Sequence, residues 1–157
     1  AIRYDKISDW FSGVLGLKLT PEIGGLRRDH VQLRIVRPDS NDFNPPHRDS
    51  YLDYYRDVLN IWIPLICEQN SVMPVCESSH LWIGKDILRT TNGSAIISQN
   101  RYTVPAIIQY KNQNISMIRP NIKEGECIIF TPFLVHGFGL NRSTKTRVAL
   151  ELRLGIC

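Results

Sequence analysis

The sequence predicts a mainly β domain, an antiparallel sandwich or barrel, with one helix in front of it. Short apolar runs rich in Ile, Val and Phe follow one another along the chain. Residues that favour turns, namely Gly, Pro, Asn and Asp, lie between these runs. The runs are residues 31–36, 58–66, 107–110, 115–118, 127–130, 133–138 and 148–154.

The helix is predicted over residues 5–17. Apolar residues recur there at helical spacing: Ile7, Trp10, Phe11, Val14 and Leu15. Gly16 lies where such a helix can stop. We expect Trp10 to anchor the helix in the core, Trp62 to lie in the core or the pocket wall, and Trp82 to belong to a surface insertion.

Composition is typical of one globular domain over residues 1–157, with 43% hydrophobic and 22% charged residues. The net charge of +4 is spread along the chain in ones and twos, so a nucleic-acid partner is not indicated and a small-molecule partner is expected. No apolar run is long enough to suggest a membrane span. The 4 cysteines stand far apart, which favours a reducing compartment, and we expect the cytoplasm.

Residues 80–102 lack a clear period and are interpreted as a surface insertion with one helical turn around residues 84–90. A lid over a β-sheet cavity and a loop without a role are equally compatible with this pattern.

The first group that can hold a metal is His47 and Asp49. They follow Pro45-Pro46, and residues two apart on an extended strand project to the same face. Both side chains can therefore reach one cation, although a surface His beside an Asp is the simpler alternative.

A third residue, His136, favours the metal interpretation. It lies in an otherwise apolar run, where an unpaired imidazole is costly to bury. Together with His47 and Asp49 it gives two nitrogens and one carboxylate. This is the facial triad that holds Fe(II) and leaves coordination positions open.

Arg147 follows His136 across a turn near Asn141-Arg142 and shares one strand face with Ala149, Glu151 and Arg153. A guanidinium at this place can hold a carboxylate through two parallel hydrogen bonds. The alternative is that Arg147 is only the ion-pair partner of Glu151.

These residues resemble the iron- and 2-oxoglutarate-dependent dioxygenases, in particular the phytanoyl-CoA dioxygenase-like branch. The resemblance runs from about Val31 to Arg153 and rests on ordered segments: Val31-Gln32-Leu33, Arg37-Pro38, His47-x-Asp49, 59–65, 74–80, 125–130, His136-Gly137, Asn141-Arg142-Ser143 and Arg147. Segment 74–80 is similar to the branch's Pro-Gly-Ser-His stretch, but Ser78 replaces the glycine.

The resemblance implies a double-stranded β-helix of the jelly-roll or cupin type. It implies Fe(II) on His47, Asp49 and His136, which would be the catalytic residues, with 2-oxoglutarate and O2 as co-substrates. Arg147 would bind the 5-carboxylate of 2-oxoglutarate. Further expected co-substrate contacts are Gln32, Asn60 and Thr131, the last replacing a hydroxyl that relatives carry at the position of Ala149. For Gln32 and Asn60, the alternative is a polar group of the sheet without a ligand.

The expected reaction is hydroxylation with release of succinate and CO2, since the carboxylate of Asp49 occupies the place that a halide needs in halogenating relatives. We expect substrate contacts from Tyr51, Arg48, Arg56 and Trp62. For the segment 51–56, a solvated polar loop is the alternative. The substrate is expected to be a small polar or anionic metabolite, because Arg34, Arg37, Arg48 and Arg56 cluster around the metal residues.

Two other functions are compatible with the same fold. One is a cupin-like isomerase or a non-catalytic small-molecule-binding module, which needs no arginine at the position of Arg147. The other is a nucleic-acid dioxygenase, suggested only by three tyrosines and two arginines, namely Tyr51, Tyr54, Tyr55, Arg48 and Arg56.

Overall fold

The structure is a computed structural model that describes residues 3–24, 26–27, 30–97, 100–123, 125–137 and 139–157. One helix, α1 (Tyr4–Leu15), precedes the strands. The strands are β1 (Leu19–Thr20), β2 (Glu22–Ile23), β3 (Leu26–Arg27), β4 (Val31–Val36), β5 (Val58–Ile66), β6 (Ile87–Arg89), β7 (Ser94–Ile97), β8 (Asn100–Thr103), β9 (Ile107–Tyr110), β10 (Gln113–Asn114), β11 (Ile128–Phe130) and β12 (Arg147–Ile156). Short 3-10 helices cover Asp49–Tyr51, Asp53–Tyr55, Gln69–Ser71, Ser79–Leu81 and Gly84–Asp86.

Helix α1 ends where the sequence predicts a stop, because Gly16 takes a left-handed conformation with φ 65°. The prediction for Trp10 is wrong: Trp10 is 60% exposed, and Tyr4 and Phe11 are the buried anchors. The hydroxyl of Tyr4 also donates to the backbone oxygen of Arg153, which ties the helix to β12.

The larger sheet has β12 at its centre and is antiparallel throughout. Strand β5 and then β11 lie on one side of β12, and β4 and β1 lie on the other. Because side chains alternate along a strand, Arg147 and Arg153 share the inner face, while Leu152 and Leu154 pack with α1.

The opposing layer is formed by shorter extended segments joined through single antiparallel bridges. His47 pairs with His136, Val75 pairs with both His136 and Ile118, and the backbone N–H of Ile107 donates to the oxygen of Pro46. These segments face the larger sheet across a cavity. The architecture confirms the expected double-stranded β-helix with a flanking helix.

The predicted strands match the structure most closely at β4, β5 and β9. Run 115–118 contributes only the bridge at Ile118, and run 133–138 only the bridges at His136, with Phe138 outside the described residues. The region predicted as an insertion, residues 80–102, holds β6, β7 and β8, and its predicted helical turn is the 3-10 helix Gly84–Asp86 followed by a strand.

The four cysteines are all free: Cys67, Cys76, Cys127 and Cys157. In the described part of the chain, no helix combines the length and the apolar character needed to cross a membrane.

Candidate metal centre and its cavity

His47, Asp49 and His136 meet at one buried point between the two layers. One nitrogen or oxygen atom from each lies within 4.8 Å of the others. Oδ1 of Asp49 lies 3.3 Å from Nε2 of His47 and 3.6 Å from Nε2 of His136. The structure therefore brings together the three residues that the sequence predicts as metal ligands.

The backbone places the two histidines side by side. The N–H of His47 donates to the oxygen of His136 at 2.9 Å, and the reverse hydrogen bond measures 3.0 Å. Gly137 has φ 125°, and a Cβ built on it would lie 2.5 Å from the oxygen of Pro45. Glycine after His136 is thus required for the two segments to approach this closely.

Hydrogen bonds to backbone oxygens orient both imidazoles. Nδ1 of His47 lies 2.8 Å from the oxygen of Pro45, and Nδ1 of His136 lies 3.1 Å from the oxygen of Leu134. A carbonyl oxygen can only accept, so each Nδ1 carries the proton and donates it. The Nε2 lone pairs are left facing Asp49, as metal ligation requires.

The second oxygen of Asp49 is held from behind. Nη2 of Arg153 donates to Oδ2 at 3.0 Å, and Nδ2 of Asn60 donates to the same atom at 3.2 Å. Arg153 also lies over the ring of Tyr55, 4.7 Å from its centroid. The sequence places Arg153 on the strand face of Arg147 but carries no pattern that predicts a role for it.

The charge states of the triad suit a cation. Burial raises the pKa of Asp49, but His136, His47 and Arg153 together lower it well below its usual range. Burial, followed by the neighbouring His47, lowers the pKa of His136 to about 4. At neutral pH the site therefore offers a carboxylate and a neutral imidazole at position 136, a donor set that fits a divalent first-row metal.

The segment similar to Pro-Gly-Ser-His supports the strand of His136. Ser79 is fully buried, accepts the N–H of Val135 at 2.7 Å and donates to the oxygen of Cys76 at 2.6 Å. Ser78 takes a left-handed conformation with φ 58°, which is the conformation that glycine favours. The turn geometry expected of the glycine is thus kept despite the substitution.

Arg147 faces the same cavity, whose volume is about 640 Å³. Its Nη1 donates to the oxygens of Ser71 and Gly139 at 2.7 and 3.2 Å, while its Nε is buried and finds no hydrogen-bond partner in the part of the chain that the structure describes. Among the described residues, no carboxylate lies within 4.0 Å of its guanidinium. Burial lowers the pKa of Arg147, and the charge of Glu151 offsets this only in part, because that carboxylate does not come within ion-pair distance of the guanidinium.

The alternative role for Arg147, as the ion-pair partner of Glu151, does not fit this arrangement. Glu151 accepts from Nε of Arg34 at 3.1 Å instead. Arg34 therefore lines the cavity with its positive charge balanced by Glu151.

Four further predicted residues border the cavity: Gln32, Asn60, Tyr51 and Trp62. Trp62 is 2% exposed, and the Tyr51 ring lies 6.5 Å from that of His47. Asn60 uses its Nδ2 on Asp49, and its Oδ1 is buried without a hydrogen-bond partner among the described residues.

Three predicted residues do not face the cavity, which corrects their proposed roles. The alternation that turns His47 and Asp49 towards the cavity turns Arg48 away from it, and the buried Arg48 guanidinium donates to the backbone oxygens of Ser79 and Trp82. The side chain of Arg56 is 56% exposed, near Asp53. Thr131 is exposed in the turn after β11.

Comparisons with known proteins agree with the fold. The family model for phytanoyl-CoA dioxygenase (PhyH) matches residues 2–149. Two similar solved structures are the apo form and the nickel complex of the non-heme monooxygenase ThoJ, with TM-scores of 0.55 and 0.52 and identities of 15% and 16%. Each alignment covers 96% of this chain, but 51% and 49% of the ThoJ chains.

This chain thus spans about half the length of ThoJ, and at such low identity the likeness shows a shared fold. No curated protein matches the chain. The family model, however, covers nearly the whole sequence and includes all three residues of the triad. The chain belongs to the phytanoyl-CoA dioxygenase (PhyH) family.

Proposed function

We propose that this protein is an Fe(II)- and 2-oxoglutarate-dependent dioxygenase that hydroxylates a small molecule. In the balanced reaction, substrate R–H, 2-oxoglutarate and O2 give R–OH, succinate and CO2. One observation carries the proposal: the triad His47, Asp49 and His136 lies in the same cavity as Arg147. This arginine is buried, and no carboxylate of the described residues lies within ion-pair distance of it.

His47, Asp49 and His136 would hold the metal through Nε2, Oδ1 and Nε2. Bound Fe(II) would supply the activation of O2 that this oxidation needs. The chain's own contribution is to keep Asp49 ionised and His136 neutral, so that the ligand atoms need lose no proton when a metal arrives. ThoJ, which shares the fold, has been solved as a nickel complex, which supports a first-row divalent metal here.

Arg147 would bind the 5-carboxylate of 2-oxoglutarate. Two backbone oxygens, those of Ser71 and Gly139, accept from its Nη1 and hold the guanidinium in place. No described residue accepts a hydrogen bond from its Nε, and an edge formed by Nε and Nη2 matches the two oxygens of a carboxylate. Binding this anion would balance the charge of the buried cation.

For the substrate, the structure favours a neutral polar molecule over an anion. Of the arginines in the anionic-substrate hypothesis, Arg34 alone borders the cavity, and its charge is balanced by Glu151. Arg153 is likewise paired with Asp49. Once Arg147 binds the co-substrate, the described lining offers no further unpaired arginine. The location of the protein in the cytoplasm and its organisation as a single domain over residues 1–157 stay predictions.

Anaerobic titration with Fe(II) and 2-oxoglutarate tests the proposal without knowledge of the substrate. We expect the weak visible charge-transfer band of an Fe(II)–2-oxoglutarate chelate in the wild type. The His136→Ala variant should lose metal binding and the band together, whereas His80→Ala, which changes an exposed histidine, should retain both.

Metal binding without the band in the wild type would contradict 2-oxoglutarate use and favour a cupin-like isomerase or binding module. Retention of metal-dependent turnover by His136→Ala would contradict the ligand assignment.

A further inference from the structure

A second arginine on the inner face of β12 contacts the metal site from behind. We propose that Arg153, together with Asn60, positions the metal-binding carboxylate by holding Oδ2 of Asp49, so that Oδ1 alone is presented to the metal. The inference rests on the metal centre of the proposed function. It assigns Arg153 a positioning role for that centre.

Both donors act on one oxygen atom. Nη2 of Arg153 lies 3.0 Å and Nδ2 of Asn60 lies 3.2 Å from Oδ2, while Oδ1 faces the two imidazoles at 3.3 and 3.6 Å. Arg153 and Asn60 are paired residues in the β12–β5 register. The distance between the two donors is therefore set by neighbouring strands of the sheet rather than by a loop.

Arg153 is itself held in place. Its side chain is 14% exposed, and its guanidinium lies over the ring of Tyr55. Its backbone N–H donates to the oxygen of His30 at 3.1 Å, and its backbone oxygen accepts from the hydroxyl of Tyr4. The donor is thus ordered before any metal arrives, and little conformational entropy remains to be lost on binding.

The two donors restrict how Asp49 can bind. A carboxylate with two free oxygens can rotate and ligate through both, which would occupy a position that a further ligand needs. Hydrogen bonds from two N–H groups engage the lone pairs of Oδ2, and this leaves Oδ1 as the ligand atom. Single-oxygen ligation keeps the remaining positions available.

The positive charge of Arg153 opposes this gain, because a guanidinium near the site repels a cation and withdraws charge from the carboxylate. We expect orientation to outweigh this repulsion, because replacement of a group that hydrogen-bonds to a metal ligand typically weakens metal binding about 10- to 100-fold.

The test is isothermal titration of the metal-free full chain with Mn²⁺ alone, without 2-oxoglutarate, together with thermal unfolding of each variant. We expect Arg153→Gln to weaken Mn²⁺ binding about 10- to 100-fold. Arg153→Lys should restore part of the affinity, since it returns the charge but only as a single point donor. The visible spectrum of bound Co²⁺ should also change in Arg153→Gln, because the carboxylate is freed to ligate differently.

Arg34→Gln is the matched control. Arg34 borders the same cavity and pairs with a carboxylate at 3.1 Å, but that carboxylate is Glu151 rather than a proposed metal ligand. We expect its loss to leave Mn²⁺ affinity within about threefold of the wild type. Asn60→Leu removes the other donor without a change in charge, and it should weaken Mn²⁺ binding even if Arg153→Gln does not fold.

Unchanged Mn²⁺ affinity in folded Arg153→Gln, or in Asn60→Leu where the former does not fold, would overturn the positioning role while the metal centre stands. A lowered melting temperature with unchanged affinity would show a purely structural arginine and overturn it equally. If the wild type binds no Mn²⁺, Ni²⁺ or Fe(II), the proposed function fails together with this inference.

Discussion

Arg147, which is buried, and Arg153, whose side chain is 14% exposed, occupy the same face of the same strand, yet their environments differ. Arg153 has an anion of its own, Asp49, 3.0 Å away, and although burial lowers its pKa, Asp49 and Glu151 raise it overall. Arg147 has two backbone oxygens and no carboxylate within reach among the described residues, and burial lowers its pKa.

The difference separates two uses of a buried cation. Where the anion belongs to the protein, as at Arg153, the two charges balance and the cation can orient its partner carboxylate. Where no carboxylate of the described residues lies within ion-pair distance, as at Arg147, burial of the cation is unfavourable until a ligand supplies an anion. The end of β12 at Arg147 is therefore the end that we expect to bind an anionic co-substrate.

The largest expected effect is the loss of 2-oxoglutarate affinity when Arg147 is replaced. Arg147→Ala should weaken 2-oxoglutarate binding by up to several thousandfold, since loss of a buried charge-assisted pair costs about 2–5 kcal/mol. Arg147→Lys should lose less, because an ammonium keeps the charge but cannot form two parallel bonds to the carboxylate. Metal affinity should change far less than the dissociation constant of 2-oxoglutarate in both variants.

Arg119→Lys is the matched control for this prediction. Arg119 also donates to two backbone oxygens, those of Val72 and Leu140, and burial also lowers its pKa, but it does not border the cavity. Its replacement should lower the melting temperature and leave 2-oxoglutarate affinity unchanged. Equal 2-oxoglutarate dissociation constants for the wild type and Arg147→Lys would contradict the co-substrate role.

The sequence predicts the metal ligands better than the arginine that positions one of them. His47, Asp49 and His136 are recognisable because their residue types and spacing are those of a facial triad. Arg153 carries no such pattern: its contact with Asp49 exists only because β12 and the segment after His47 meet in space. Contacts of this kind depend on strand register, which composition and spacing do not show.

The fold was predictable to a similar degree. Continuous apolar runs gave the long strands β4, β5 and β12, since burial on a sheet selects such residues. The short strands β6, β7 and β8 were missed because they are mostly exposed and lack a clear alternation. Trp10 was misplaced because Phe11 fits the apolar face of the helix equally well from the sequence.

An effect of intermediate size is expected on acid stability, and it arises from His136, which faces Asp49 beside Arg153. The pKa of His136 is about 4 in the folded protein and 6.5 when exposed, so the unfolded chain binds more protons between these values. The contribution of His136 to the free energy of unfolding of the metal-free protein should therefore be greatest above about pH 6.5. It should fall by up to about 3 kcal/mol as the pH is lowered to 4.

Urea denaturation of the metal-free protein across this pH range measures the effect. His136→Gln removes the titrating group and should flatten the dependence, whereas His80→Ala should keep the wild-type slope. A slope in His136→Gln as steep as that of the wild type would assign the acid sensitivity to other groups.

The smallest expected effect concerns an arginine outside both environments. The side chain of Arg56 is 56% exposed and lies 4.0 Å from Asp53, whose side chain is 98% exposed. Water screens a pair of this kind, so Arg56→Ala should change the free energy of unfolding by less than about 0.5 kcal/mol. Because Arg56 does not border the cavity, succinate formation from 2-oxoglutarate should match that of the wild type. If Arg56→Ala instead raised the KM of an identified substrate, the sequence-based expectation of an anion-binding arginine there would be restored, and exposure would no longer separate the arginines that bind ligands from those that do not.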